Sequence, residues 1–210
     1  MNKPKIFTVT STPKNADNTL SVAPDLASKY YCAVVNVSDS QCATFDYQKA
    51  GIPSFWFPIN EIAYWGHSPF FGTLWVVNEY FRGDNPILIH CHAGANRSPS
   101  IAYAILRAKG YTPKEAEQSL NYDEMSQVFK RNIEMKRIPK NIIQFLIEAD
   151  KDATSSLRYC LSKIDALYEE WAKTSIDQQQ DYTILGESEE QKRLIYNKES
   201  KRFVIVKDNE

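Results

Sequence analysis

Residues 87–110 read ILIHCHAGANRSPSIAYAILRAKG, and this one stretch constrains the fold more than any other. The apolar run Ile87–His90 follows the breaker Gly83-Asp84-Asn85-Pro86 and is too short for a helix, so it predicts a buried strand. After a short polar loop, Ser98–Lys109 carries apolar residues at helical spacing, and Gly110 closes it. A strand that turns directly into a helix belongs to α/β architectures. The neighbouring segments agree. Ile6–Thr10, Ala33–Val37 and Ser54–Ile59 read as strands, and 73–82, 123–135 and 140–150 read as helices. Thr112-Pro113-Lys114-Glu115 has the form of a helix start, with a capping threonine, proline in the first turn and a glutamate to complete a capping box. The expected fold is therefore a central, mostly parallel sheet flanked by helices, occupying residues 1–150.

Residues 60–72 predict an aromatic loop. Past residue 150 the texture changes: Leu157, Leu161, Ile164, Leu167, Tyr168 and Trp171 form an amphipathic helical stripe. A polar linker at Gln178–Gln180 follows, and then "RLIY" and "RFVIV" predict a hairpin. Residues 151–210 are read as a helical and hairpin extension, not as a second catalytic unit.

Composition excludes more than it assigns. A formal net charge of -1 gives no global pull toward nucleic acid or membranes, and no apolar run reaches the length of a membrane span. The N-terminus lacks a signal-like apolar core, so a cytoplasmic protein is the default expectation. Cys32, Cys42, Cys91 and Cys160 are too few and too widely spaced for a disulfide framework, and no C-x-x-C pair suggests zinc. A special cysteine here has to be special for its chemistry.

Cys91 is that cysteine. It stands at the strand end, and Arg97 follows with five residues between them, just ahead of Ser98 and Pro99. A strand–loop–helix of this length can wrap the N–H groups of His92, Ala93, Gly94, Ala95, Asn96 and Arg97 around a phosphate at the positive end of the helix dipole. Gly94 supplies backbone freedom where the loop curls. The planar fork of Arg97 grips two phosphate oxygens, and the same donors favour a thiolate on Cys91. A strand-end cysteine is more often a small buried hydrophobe, and an arginine after a loop a surface charge. Average residue usage, however, puts a chance match to His-Cys, Gly, Arg-Ser at this spacing at roughly one in ten thousand.

His90-Cys91, Gly94, Arg97 and Ser98 resemble the signature loop of cysteine-dependent protein tyrosine phosphatases, most closely the small dual-specificity group. The resemblance extends over about residues 30–150, where "VVNVSD" and "PKNIIQFLIEAD" are similar to that group's strand and turn and to its last core helix. It implies that Cys91 attacks phosphorus and forms a thiophosphate, and that Arg97 and the loop N–H groups hold the oxygens. It further implies that the Ser98 hydroxyl stabilises the departing thiolate, and that His90 sets loop geometry without acting as acid or base. No metal or cofactor is implied.

A general acid is also implied, an aspartate on a loop well before the cysteine and just after a strand. The matching segment is Pro58-Ile59-Asn60-Glu61, so this chain offers Glu61, a departure by one methylene. The alternative reading of Glu61 is a solvated loop carboxylate. Asp39 and Asp46 are fallbacks that follow a different strand. Phe55 and Phe57 read as core. Tyr64, Trp65 and His67 are candidates for a cleft rim, and Lys130, Arg131, Lys136, Arg137 and Lys140 form a basic stretch that reads as a solvated helix face.

The implied substrate is a phosphorylated protein or peptide, with phosphotyrosine foremost and phosphoserine or phosphothreonine alongside. One alternative is an RNA 5′-triphosphatase or nucleotide phosphatase, since Asn96-Arg97 resembles the capping-type loop. Those enzymes continue Thr-Gly where this chain has Ser98-Pro99, and a strongly basic surface is absent. Inositol-phosphate phosphatases often carry loop lysines, and here there are none. A second alternative is a non-catalytic phosphate-binding module, for which Glu61 is the only hint.

Overall fold

The computed structural model describes residues 3–11, 21–140, 142–143, 183–185, 191–197 and 202–207. In chain order the first unit runs β1 (Phe7–Ser11), α1 (Pro24–Tyr30), β2 (Ala33–Asn36), α2 (Cys42–Lys49), β3 (Ser54–Trp56), α3 (Ser68–Tyr80), β4 (Ile87–Cys91), α4 (Arg97–Ala108), α5 (Pro113–Leu120) and α6 (Met125–Glu134). The strands pair in the order β1-β4-β2-β3, and every pair is parallel. The α/β reading holds, with the sheet wholly parallel where the sequence suggested mostly so.

Parallel strands buried on both faces need apolar residues on both, and alternation along each strand divides the core in two. Val34 and Leu88 pack with Ala27, Ala43, Tyr47 and Ile52 from the α1–α2 side. Val35, Ile87, Ile89 and Cys91 join the larger core that α3 to α6 complete. Cys91 and His90 thus leave the end of β4 toward opposite faces. His90 lies buried beside Tyr47, ring centroids 6.0 Å apart.

Three local results refine the sequence reading. The capping box of α5 is present: Thr112 N–H donates to Glu115 Oε2 at 2.7 Å, and Glu115 N–H to Thr112 Oγ1 at 3.3 Å. The expected loop 60–72 is corrected, because α3 starts at Ser68 and carries Pro69, Phe70, Phe71 and Gly72 into the core. Proline fits a first helical turn, and Gly72 is used for space: a Cβ there would sit 2.5 Å from the Phe57 ring. The short helices α1 and α2 had no counterpart in the sequence reading.

Of the helix expected over 140–150, residues 140, 142 and 143 are helical, and the rest lies outside the described residues. So does the stripe Leu157–Trp171. Further on, β5 (Thr183–Leu185), β6 (Gln191–Asn197) and β7 (Arg202–Lys207) form an antiparallel sheet in that order, with β6 and β7 paired as the hairpin pattern predicts. Among the described residues no helix is long and apolar enough to cross a membrane.

Candidate active site

Because all four strands run the same way, the loops after β2, β3 and β4 emerge at one edge of the sheet, where open α/β sheets gather their functional groups. The loop after β4 is the deepest. Cys91 ends the strand and is buried, residues 92–96 bend sharply, and α4 begins at Arg97. Ser98 is fully buried, and its hydroxyl donates to Cys91 Sγ at 3.2 Å. Gly94 has φ +68°, in the left-handed region, and a Cβ on it would lie 2.9 Å from the backbone of Thr10 and Ser11 at the end of β1. The loop therefore needs glycine twice, for its torsion and for its contact with the neighbouring strand.

Arg97 is 3% exposed, yet its guanidinium reaches the other two loops. Nη1 donates to Ile59 O at 2.9 Å and lies 3.5 Å from Asp39 Oδ1, while Nη2 lies 3.7 Å from Glu61 Oε2. Glu61 and Asp39 are exposed, with side-chain exposures of 53% and 63%. The structure thus brings Cys91, Arg97, Ser98 and Glu61 to one edge and adds Asp39. Asp39 does follow a different strand from Glu61, but that strand, β2, lies beside β4 and ends at the same edge. Asp46 is carried on α2.

Each carboxylate owes its place to its own loop. The turn bearing Asp39 is braced by Asn36, buried at the end of β2. Its amide donates to Ser40 O at 2.7 Å and to Thr44 Oγ1 at 3.0 Å, and its Oδ1 accepts from Ser38 N–H and Oγ–H. Trp56 Nε1–H adds a bond to Ser38 O at 2.9 Å. The turn bearing Glu61 has lighter support of its own, chiefly the bond from Ile62 N–H to Asn60 Oδ1 at 3.1 Å, besides the Arg97 bond to Ile59 O.

His90 holds its place through the fold. Its carbonyl accepts from Val37 N–H at 2.9 Å, and burial pushes its imidazole pKa down to about 3, so the ring is neutral. His92, Ala93 and Ala95 are exposed at the loop's crest, and Gly94 and Asn96 are half-buried. The rim reading of Trp65 is corrected: it is buried, and its backbone N–H donates to Arg137 O at 2.8 Å. Tyr64 is exposed, while half-buried His67 stacks on Phe71 at 6.0 Å. Phe55 and Phe57 are core.

Sequence reading missed the groups behind the loop. Tyr122 O–H donates to Ala95 O at 2.8 Å. Asn132, 1% exposed on α6, donates through Nδ2 to Asn96 Oδ1 at 2.9 Å and to Ser100 Oγ at 3.0 Å. Arg137, read as part of a solvated basic face, turns inward and donates to Asn132 Oδ1 at 3.1 Å. A signal for Asn132 existed: Met125, Phe129 and Asn132 share the buried stripe of α6, so the polar member needs partners inside.

No family model matches the sequence, and no curated protein matches it. Solved structures do. The active form of Tk-PTP aligns with a TM-score of 0.43 at 19% identity, over 62% of this chain and 89% of that one. PTPMT1 in complex with PI(5)P aligns at 0.45 and 14%, over 71% and 93%. The PTP-2 phosphatase of Cydia pomonella aligns at 0.43 and 17%, over 63% and 91%. These neighbours are protein tyrosine phosphatases. Likeness at this level carries neither substrate nor mechanism to the present chain, whose chemistry has to be read from its own side chains.

Proposed function

We propose that the chain is a cysteine-dependent phosphatase that hydrolyses phosphomonoesters on proteins or peptides. The observation that carries this reading is the buried trio of Cys91, Ser98 and Arg97 on one loop, with Ser98 Oγ–H on the sulfur at 3.2 Å. A structural cysteine has no use for such a donor, nor for a buried arginine at the end of the same loop. A nucleophile that must later leave has a use for both.

In the first step Cys91 sulfur attacks phosphorus, the bond from phosphorus to the leaving oxygen breaks, and Glu61 supplies the proton that oxygen takes up. In the second, water attacks phosphorus, Glu61 accepts its proton, and the sulfur–phosphorus bond breaks while Ser98 donates to the departing thiolate. Throughout, Arg97 and the N–H groups of residues 92–97 hold the remaining oxygens. The loop's open, lysine-free crest suits a single phosphate on a larger chain, and phosphotyrosine foremost.

Two measurements test this. Cys91→Ser should abolish turnover while leaving phosphate affinity largely intact, and activity within tenfold of the parent would refute the mechanism. A panel of phosphotyrosine, phosphoserine and phosphothreonine peptides, RNA triphosphate and inositol phosphates, assayed with chelator present, should show the first group preferred. Preference for RNA triphosphate would move the assignment to the nucleotide reading, and binding without turnover on any member would make the chain a phosphate-binding module.

A further inference from the structure

Asn96, in the loop, and Asn132, behind it, form a hydrogen-bonded line whose direction is fixed at one end. The guanidinium of Arg137 only donates, so the atom of Asn132 that meets it must be the carbonyl oxygen. The amide nitrogen of Asn132 is then turned toward Asn96 and Ser100, and donates to both. Since Asn132 donates to it, Asn96 must in turn present its own oxygen inward. Its NH₂ is left facing the mouth, where it lies 3.5 Å from Glu61 Oε1. Every bond in the line Arg137, Asn132, Asn96, Glu61 points a donor outward.

We propose that Asn132 is a positioning residue that sets the polarity of the active-site mouth, a role that rests on the phosphatase reading above. By holding Asn96 with its donor outward, Asn132 makes that side chain a partner for anions, namely the Glu61 carboxylate and the phosphate brought beside it. Reversed, Asn96 would present a carbonyl dipole that opposes both. Asn132 touches neither substrate nor nucleophile, and acts entirely through Asn96. The same amide ties α6 to the first turn of α4 through Ser100, so the mouth's polarity and the helix's seat are set by one buried group.

Asn132→Asp separates this role from bulk. An aspartate keeps the size and can accept from Arg137, but it cannot donate to Asn96 and so drives that amide to turn over. The full chain is compared as the parent, Asn132→Asp, Asn96→Ala and the double variant, with inorganic phosphate affinity by calorimetry and turnover on good and poor leaving groups. We expect Asn132→Asp to weaken phosphate by about tenfold, the scale of reversing one buried hydrogen bond. Turnover should fall more on poor leaving groups than on good ones, and the added loss should shrink below about twofold in the Asn96→Ala background.

Equal losses in both backgrounds, or on both substrate types, would show a merely structural role and overturn the proposal. Asn132→Ser goes through the same cycle, so that an unfolded aspartate variant does not decide the matter. Phosphate coupling without turnover would sink the phosphatase reading and leave the polarity role standing. Turnover without coupling would do the reverse.

Discussion

The floor of the site and its rim are built on opposite terms. Cys91, Arg97 and Ser98 are all but sealed from solvent and are held by a strand end, a helix start and a glycine pressed against β1. Asp39 and Glu61 stand in solvent, 3.5 and 3.7 Å from Arg97, and Glu61 is also met by Asn96 at 3.5 Å. Ion pairs at such exposure contribute little to stability, so these contacts do not account for the carboxylates' presence. On the mechanism proposed above, the difference means that position is fixed where the reacting atoms would sit and left adjustable where protons would be exchanged. The rim is itself unequal: the turn under Asp39 is cross-braced by Asn36, and the turn under Glu61 is not. On the proposed mechanism, the braced carboxylate would hold Arg97 in line and the lightly supported one would follow a leaving group.

The largest effect should come from the floor. Arg97→Lys keeps the charge but loses the two-point grip, and a rate loss of at least about a hundredfold is expected, on the order of 3 kcal/mol. A near-neutral result in steady-state assays would remove Arg97 as the phosphate clamp and collapse the contrast.

Glu61→Gln comes next and depends on the substrate. On alkyl or phenyl phosphates the loss should approach about a hundredfold, while good leaving groups should be nearly spared. Asp39→Asn sharpens the rim comparison: it should cost less than about fivefold on both substrate types, since orienting Arg97 helps both alike. If Asp39→Asn instead shows the leaving-group dependence and Glu61→Gln does not, the two carboxylates exchange roles.

The smallest effect is on stability. Burial drives the His90 pKa down to about 3, below its ordinary 6.5, so between those values the unfolded chain holds a proton that the folded chain refuses. Stability from this source is complete above about pH 7 and falls with acidification, by about 0.7 kcal/mol between pH 7 and pH 6. Urea unfolding at the two pH values should show that decline, and His90→Gln should flatten it. A decline of the same size in His90→Gln would place its cause elsewhere.

What the sequence disclosed followed local rules. Ile87–Cys91 and Arg97–Ala108 were legible because an apolar run, a breaker and a helical period sit next to one another in the chain. Pro69-Phe70-Phe71-Gly72 misled for the converse reason. Proline and glycine punctuate loops on average, but here one opens a helix and the other makes room for Phe57. Asp39 was ranked only as a fallback because it follows a different strand, and only the sheet's pairing puts β2 beside β4. Trp65 and Arg137 were assigned to a rim and to a solvated face, yet Trp65 is buried with its backbone N–H on Arg137 O, and the Arg137 side chain turns in to Asn132. The contact of Trp65 with Arg137 crosses too much chain to leave a periodic trace.

The strand order also dictates when the site comes into being. β2 and β3 pair after a short wait, Val34 with Ser54, but Phe7 has no partner until Ile87 has been made. At usual synthesis rates that delay is on the order of ten seconds, during which β1 waits without the strand it pairs with. β4 then closes the two longest gaps in the sheet in one event, seating itself between β1 and β2. The strand that ends in Cys91 is thus the keystone of assembly, and the loop that follows it takes its place only once the sheet is complete.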